Sequence, residues 1–263
     1  MNKYLLTMFS LKYLCLSTIL LHVTKAAEIQ TLIGDAHGFR PHVHKYLVML
    51  HMSYTGPNSS SMGLCSGSII DKKWIISAAH CFRDDVTKIK IITNIGSKKR
   101  VLGFGRKYVN HPCFIQQDPN YDRIYDFNNY QNDIALVKTA KPIQLNAFTQ
   151  PIGLARLRAF GQEGIIAGYG GYRNLQIPLE GTVVVIRCEP GSKMLCSEYF
   201  SYSESGDSGG ALTTDDGLVG IISGTTFPVG KDSIFVDISL HFNWIQEVTG
   251  KNFTIDGPEI TIS

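Results

Sequence analysis

Short apolar runs rich in β-branched side chains, punctuated by Gly, Asn, Asp and Pro, recur along most of the chain. They include Tyr46–Met52, Trp74–Ile76, Ile89–Thr93, Ile134–Lys138, Gly164–Ala167, Thr182–Ile186, Leu218–Ser223 and Ile234–Ile238. Runs this short, bounded by turn formers, predict the strands of an antiparallel sandwich or barrel rather than βαβ units. One segment differs. Leu240, Trp244, Ile245 and Val248 recur at helical spacing, with Ser239 placed to cap the start and Gly250 to end the helix. Between His111 and Asn132 the pattern lapses into a stretch rich in Asn, Asp and Tyr, which reads as an extended surface loop.

The N-terminus reads as a targeting segment. Lys3 and Lys12 flank short apolar runs, and Tyr13–Val23 is too short to span a bilayer comfortably. Ala26 and Ala27 follow as small residues suited to cleavage. Residues 1–26 are therefore expected to be a signal peptide and 27–31 a short propeptide, the alternative being a membrane anchor. No later stretch is long and apolar enough to cross a membrane, so secretion without a membrane partner is expected. The remainder suffices for one large β-rich domain or two small packed ones. Residues 251–263 form a short polar tail.

Removing the leader changes the charge picture. The chain has 25 basic and 22 acidic residues, and Lys3, Lys12 and Lys25 all lie within residues 1–27, which contain no acid. The rest is balanced, so no nucleic-acid footprint is present. Cys15 leaves with the leader. Cys65, Cys81, Cys113, Cys188 and Cys196 remain, an odd number that allows at most two internal bridges in an oxidising compartment. No Cys/His set has zinc spacing, so no metal is expected. His42 and His44 read as solvated. Asn58 and Asn252 stand in glycosylation sequons.

Three motifs carry the chemistry: Ser77-Ala78-Ala79-His80-Cys81 after an apolar strand, Asn132-Asp133-Ile134-Ala135-Leu136 opening another, and Gly206-Asp207-Ser208-Gly209-Gly210. Singly, each has an ordinary reading as a structural histidine, a turn and a tight loop. Jointly, in the order His, Asp, Ser, they match the chymotrypsin arrangement and not that of subtilisin or the α/β-hydrolases.

From Leu32 to Gly250 the chain thus resembles the chymotrypsin/trypsin family of serine peptidases. Leu32-Ile33-Gly34-Asp35 looks like the family's mature N-terminus, and Gly168-Tyr169-Gly170 resembles its Gly-Trp-Gly. The resemblance implies an all-β fold of two six-stranded antiparallel β-barrels with a C-terminal helix over residues 32–250, the active site lying between the barrels. It implies His80, Asp133 and Ser208 as a catalytic triad, with the N–H groups of Gly206 and Ser208 as the oxyanion hole and no cofactor. It also implies bridges Cys65–Cys81 and Cys188–Cys196, and an α-amine at Leu32, freed by cleavage after Thr31, that pairs with Asp207. The third common bridge is missing, because Glu204 stands where Cys is usual. Thr31 at the junction is shared with mite trypsin-like allergens.

The family's specificity pocket is altered. Tyr202 stands six residues before Ser208, where trypsin-like enzymes carry Asp and chymotrypsin-like ones a small residue. Ser223 is kept, but Thr225 and Ser233 replace pocket glycines. A tyrosine ring at 202 would fill space meant for a substrate side chain. The chain is therefore expected to be a monomeric, secreted endopeptidase of atypical specificity, acting on proteins or peptides and open to protein inhibitors. The alternative is a silent homologue with an occluded pocket. That reading resembles the inactivated protease paralogues of scabies mites, which bind host defence proteins such as complement components.

Overall fold

The computed structural model describes residues 37–38, 43–56, 60–95, 98–114, 130–170, 178–188, 190–198, 203, 205–225 and 233–253. The chain separates into Met1–Gln30 and Thr31–Ser263, and every described residue belongs to the second unit. The predicted signal peptide and propeptide, Leu32, Asn58, Tyr202, Glu204 and most of the polar tail lie outside the described residues.

Two antiparallel barrels are built in chain order. The first closes through β2 (Leu47–Thr55), β3 (Ser60–Asp71), β4 (Trp74–Ser77), β7 (Ala135–Thr139), β6 (Lys98–Asn110) and β5 (Val86–Ile95). The second runs through β9 (Leu179–Arg187), β10 (Leu195–Glu198), β13 (Ser233–Asp237), β12 (Gly217–Thr225), β11 (Ala211–Thr214) and β8 (Glu163–Gly168). Pairing of β8 with β9 closes it, and the two-residue β1 (His37–Gly38) adds to β9 from outside. The fold is two six-stranded antiparallel barrels followed by one helix, α1 (Ile238–Thr249).

Side-chain alternation explains why these segments are strands. In β9, Val183 and Val185 point inward and are buried, while Thr182 and Val184 face solvent, the period-two pattern of a half-buried strand. Leu50, Ile69, Ile75, Ile91 and Leu136, each from a different strand, are fully buried in the first barrel. Ile166, Val183, Val185, Leu195, Leu212, Ile222 and Phe235 form the second core. At about 1.5–3 kcal/mol for each fully buried large aliphatic or aromatic side chain, these layers are the main force closing each barrel.

Two local expectations are corrected. The helix N-cap is Asp237, not Ser239: the Asp237 carboxylate accepts from Ser239 N and from the Ser239 hydroxyl. A carboxylate two residues earlier reaches the orphan first-turn N–H groups, which draws Ile238 and Ser239 into the helix. Gly250 ends the helix in the left-handed region, as its lack of a Cβ allows.

His44, expected to be solvated, is buried. Its Nε2 lies 2.6 Å from Glu180 Oε2 on β9, and its Nδ1 lies 2.8 Å from the Tyr46 hydroxyl. Burial above all raises the Tyr46 phenol far beyond its ordinary range, so it keeps its proton. These bonds tie the lead-in to the first barrel onto the second, and the partner Glu180 was too distant in sequence to be read. Glu180→Ala should remove the buried bond to His44 and cost about 2–3 kcal/mol of stability. Glu180→Gln should recover most of that loss. Urea unfolding of the three proteins measures it, and equal midpoints would refute the role.

Candidate active site

Barrel pairing places the acid beside the base. Strands β4 and β7 run antiparallel with Ser77 opposite Ala135, so the residues following β4 meet those preceding β7. His80 sits on the one-turn 3-10 helix Ala79–Cys81 that follows β4, and Asp133 lies just ahead of β7. The helix cannot drift, because Ala78 and Ala79 are fully buried and Cys81 is bridged to Cys65 on β3.

Asp133 is wholly buried, whereas the His80 side chain remains 35% exposed. Asp133 Oδ2 lies 2.7 Å from His80 Nδ1, and Oδ1 accepts from the His80 backbone N–H at 2.8 Å. The Ser223 hydroxyl, from β12 of the second barrel, donates to Oδ2 at 2.5 Å. Burial pushes the Asp133 carboxyl up. The His80 charge, the His80 ring and Ser223 hydrogen bonds and the His80 N–H together outweigh it and hold the group below its ordinary value. Burial likewise pulls the imidazole down, and the adjoining carboxylate overcomes this to raise it above 6.5.

Ser208 lies in the turn Ser205–Gly209, just before β11. Gly206 and Gly209 have φ of 100° and 80°, a region side-chain-bearing residues rarely adopt. A Cβ on Gly209 would also collide with the Ser77 hydroxyl and the Ser66 carbonyl. Ser66 N donates to the Ser208 carbonyl at 2.8 Å, and Cys81 Sγ lies 3.9 Å from the same oxygen. The residue after His80 therefore touches the backbone of Ser208. The Ser208 hydroxyl forms no hydrogen bond with the imidazole here, and such bonds commonly tighten only with substrate in place. Asp207 is buried, and its Oδ1 accepts from Gly170 N at 2.6 Å. Any side chain at 168 or 170 would run into that carboxylate, which explains the flanking glycines of Gly168-Tyr169-Gly170.

Residues around the expected pocket are tied to one another. Ser203 Oγ donates to the Gly224 carbonyl at 3.2 Å, and Thr225 Oγ1 donates to the Ser203 carbonyl at 2.7 Å. Ser203 N donates to Ser233 Oγ at 2.7 Å, and Ser233 N donates to Ser197 Oγ at 3.0 Å. Ser223, expected in the pocket, spends its hydroxyl on Asp133.

Among the described cysteines, Cys65 is joined to Cys81 and Cys188 to Cys196, leaving Cys113 as an exposed free thiol. Cys65, His80 and Cys81 bring ligand-type atoms within 4.8 Å, but the two sulfurs are bonded to each other and offer no thiolate to a metal. Asn252 is exposed at the helix end, where its Oδ1 accepts from Gln246 Nε2. Two residues that sequence reasoning passed over are central here. Ser66 grips the Ser208 turn, and its only signal was Ser in a Cys-Ser-Gly run beside a bridged cysteine. Ser203 stands between pocket walls that only the fold brings together.

Comparison with known proteins gives one consistent answer. The sequence matches the Trypsin family over residues 34–245. It is 29% identical over 248 residues to kallikrein-11 of Mus musculus, covering 85% of this chain and 84% of the relative. It is 30% identical over 216 residues to serine protease 1 of Rattus norvegicus, covering 74% of this chain and 83% of the relative. Among solved structures, HL collagenase shares the fold with a TM-score of 0.68 at 22% identity, over 84% of this chain and 100% of the collagenase.

Asp133→Asn tests the electrostatics directly. The amide keeps the shape but removes the charge that lifts His80, so burial acts alone and the imidazole should titrate below 6.5. The sign for stability follows. A raised histidine stabilises the fold fully below its unfolded value and loses that contribution as pH rises through its folded value. NMR titration of the ring reads both proteins, and an unmoved midpoint in Asp133→Asn would refute the assignment.

Proposed function

We propose that this chain, which belongs to the Trypsin family, is a secreted endopeptidase that hydrolyses peptide bonds with Ser208 as its nucleophile. The observation carrying this reading is a part-exposed imidazole bonded to a wholly buried carboxylate, beside a glycine-built turn that holds a serine. A serine hydroxyl is a poor nucleophile until a base takes its proton. In the proposed mechanism His80 Nε2 takes that proton as Ser208 Oγ attacks the scissile carbonyl carbon. Asp133 fixes the tautomer and stabilises the imidazolium without itself becoming protonated. The carbonyl oxygen gains the negative charge, and the N–H groups of Gly206 and Ser208 bind it. Such donors are worth about 10²–10³ in rate each. The imidazolium then protonates the departing amine, leaving an acyl group on Ser208. Water, deprotonated by His80, releases the acid by the same steps in reverse.

Secretion fits the apolar N-terminal segment and the two disulfides, which persist in oxidising compartments. Activation follows from Asp207. Cleavage after Thr31 would free the Leu32 α-amine to join that buried carboxylate and stabilise the turn. Glycosylation at Asn58 and Asn252 belongs to the same extracellular reading, as do a monomeric state, protein or peptide substrates and protein inhibitors.

A second reading, a silent homologue that binds partner proteins, is favoured by one observation. The bonds from Ser203 to Gly224 and Thr225 draw together two segments that would wall the specificity pocket. With Tyr202 beside Ser203, the pocket would admit no large side chain.

One experiment separates the readings. Protein processed to Leu32 should be labelled by a fluorophosphonate probe, which needs an activated serine but no filled pocket, and Ser208→Ala should abolish labelling without unfolding. Absence of labelling in the processed protein would refute the endopeptidase. For the pocket, Tyr202→Gly with Thr225→Gly should raise turnover of small Phe or Arg ester substrates at least about tenfold, since remote binding energy positions the scissile bond. Brisk turnover by the unaltered protein would show that the pocket is open.

A further inference from the structure

Ser66 is fully buried on β3 of the first barrel, yet its N–H and its hydroxyl are both spent on the second barrel. Its backbone N–H donates to the Ser208 carbonyl at 2.8 Å. Its hydroxyl donates to the Gly206 carbonyl at 3.0 Å and accepts from Tyr169 N at 2.8 Å. Its own carbonyl accepts from the Ser77 hydroxyl at 2.7 Å, which fixes β3 at this point. The Tyr169 N–H occupies one lone pair of the Ser66 oxygen, so the hydroxyl proton is directed at Gly206.

The consequence concerns peptide orientation. Gly206 has no side chain and a φ of 100°, so nothing intrinsic to it stops its flanking peptides from rotating. In the turn, the Gly206 carbonyl is held by Ser66 Oγ, the Asp207 carbonyl by Gly210 N at 2.7 Å and the Ser208 carbonyl by Ser66 N. Within a planar peptide the N–H points opposite to the C=O. The Gly206 carbonyl therefore sets the plane that carries the Asp207 N–H, and the Asp207 carbonyl the plane that carries the Ser208 N–H. The 206–207 plane joins the planes that carry the Gly206 and Ser208 N–H groups, so holding it limits how far those two can turn relative to each other. Ser66 is wholly buried, so its hydroxyl acts undiluted by solvent at a glycine, whose backbone is the least constrained of any residue.

We propose that the Ser66 side chain is a positioning residue for the oxyanion hole, holding Gly206 so that its N–H and that of Ser208 converge on one developing charge. This rests on the endopeptidase reading above. Ser66 touches no substrate atom and acts only through the turn.

The test compares the Leu32-processed wild type with Ser66→Ala and Ser66→Gly. Three quantities are read: the second-order rate of fluorophosphonate labelling, the melting temperature, and the low-field proton resonance of the His80–Asp133 hydrogen bond. The expected result is labelling about tenfold slower in both variants, the factor carried by one net hydrogen bond. The low-field resonance should stay in place and the melting temperature should fall only slightly. Wild-type labelling rates in folded variants would overturn the proposal. So would parallel loss of labelling and of the resonance, or failure of both variants to fold, since Ser66 would then hold the barrels rather than aim the turn. Failure of the processed wild type itself to label is a separate result. It removes the endopeptidase reading and this proposal with it.

Discussion

The structure turns on keeping one carboxylate charged where no water reaches it. Asp133 has no exposed surface, and an unpaired buried charge costs about several kcal/mol even after the protein relaxes. Three donors answer that cost: the His80 ring, the His80 N–H and the Ser223 hydroxyl. The first two stand on the loop after β4, and the third stands on β12 across the barrel boundary. Satisfying the charge therefore requires both barrels to be folded and packed together. The same bonds that make burial tolerable leave the imidazole more basic than usual and part-exposed.

The Ser208 turn shows the complementary logic. Positive-φ glycines let the chain reverse tightly against Ser66, Ser77 and Gly170, but they surrender rigidity. Rigidity returns through backbone bonds from neighbours, of which Gly210 N to the Asp207 carbonyl and Gly209 N to the Ile222 carbonyl are each 2.7 Å. Disulfide Cys65–Cys81 joins the strand that grips the turn to the helix that presents His80. Packing, covalent closure and hydrogen bonding thus all fix one small volume. Elsewhere the barrels need little beyond alternating aliphatic side chains.

What could be read from sequence follows from how local its cause is. Strands β2, β5, β9 and β12 announce themselves by short apolar, often β-branched runs, and α1 by its spacing and Gly250. Strand β3 does not, because Ser, Gly and Cys fill it where it passes close to the turn and leave no apolar period. Strand β6 hides behind its basic residues, most of which face solvent. Asp133 and His80 were legible as motifs, and their adjacency came from resemblance until the β4–β7 register gave it a cause. Ser66 and Ser203 escaped notice, and His44 read as solvated, because each acquires its partner from a distant part of the chain. A lone serine or histidine carries no mark of such a partner.

The central claim is that a buried acid, a half-exposed imidazole and a glycine turn converge on a single reacting carbonyl. A crystal structure of the processed protein after reaction with a small phosphonate probe examines that convergence at atomic level. The account predicts phosphorus bonded to Ser208 Oγ, with one phosphoryl oxygen within about 3 Å of both Gly206 N and Ser208 N. An adduct on another residue, or a Ser208 adduct whose oxygen meets neither N–H, would contradict it.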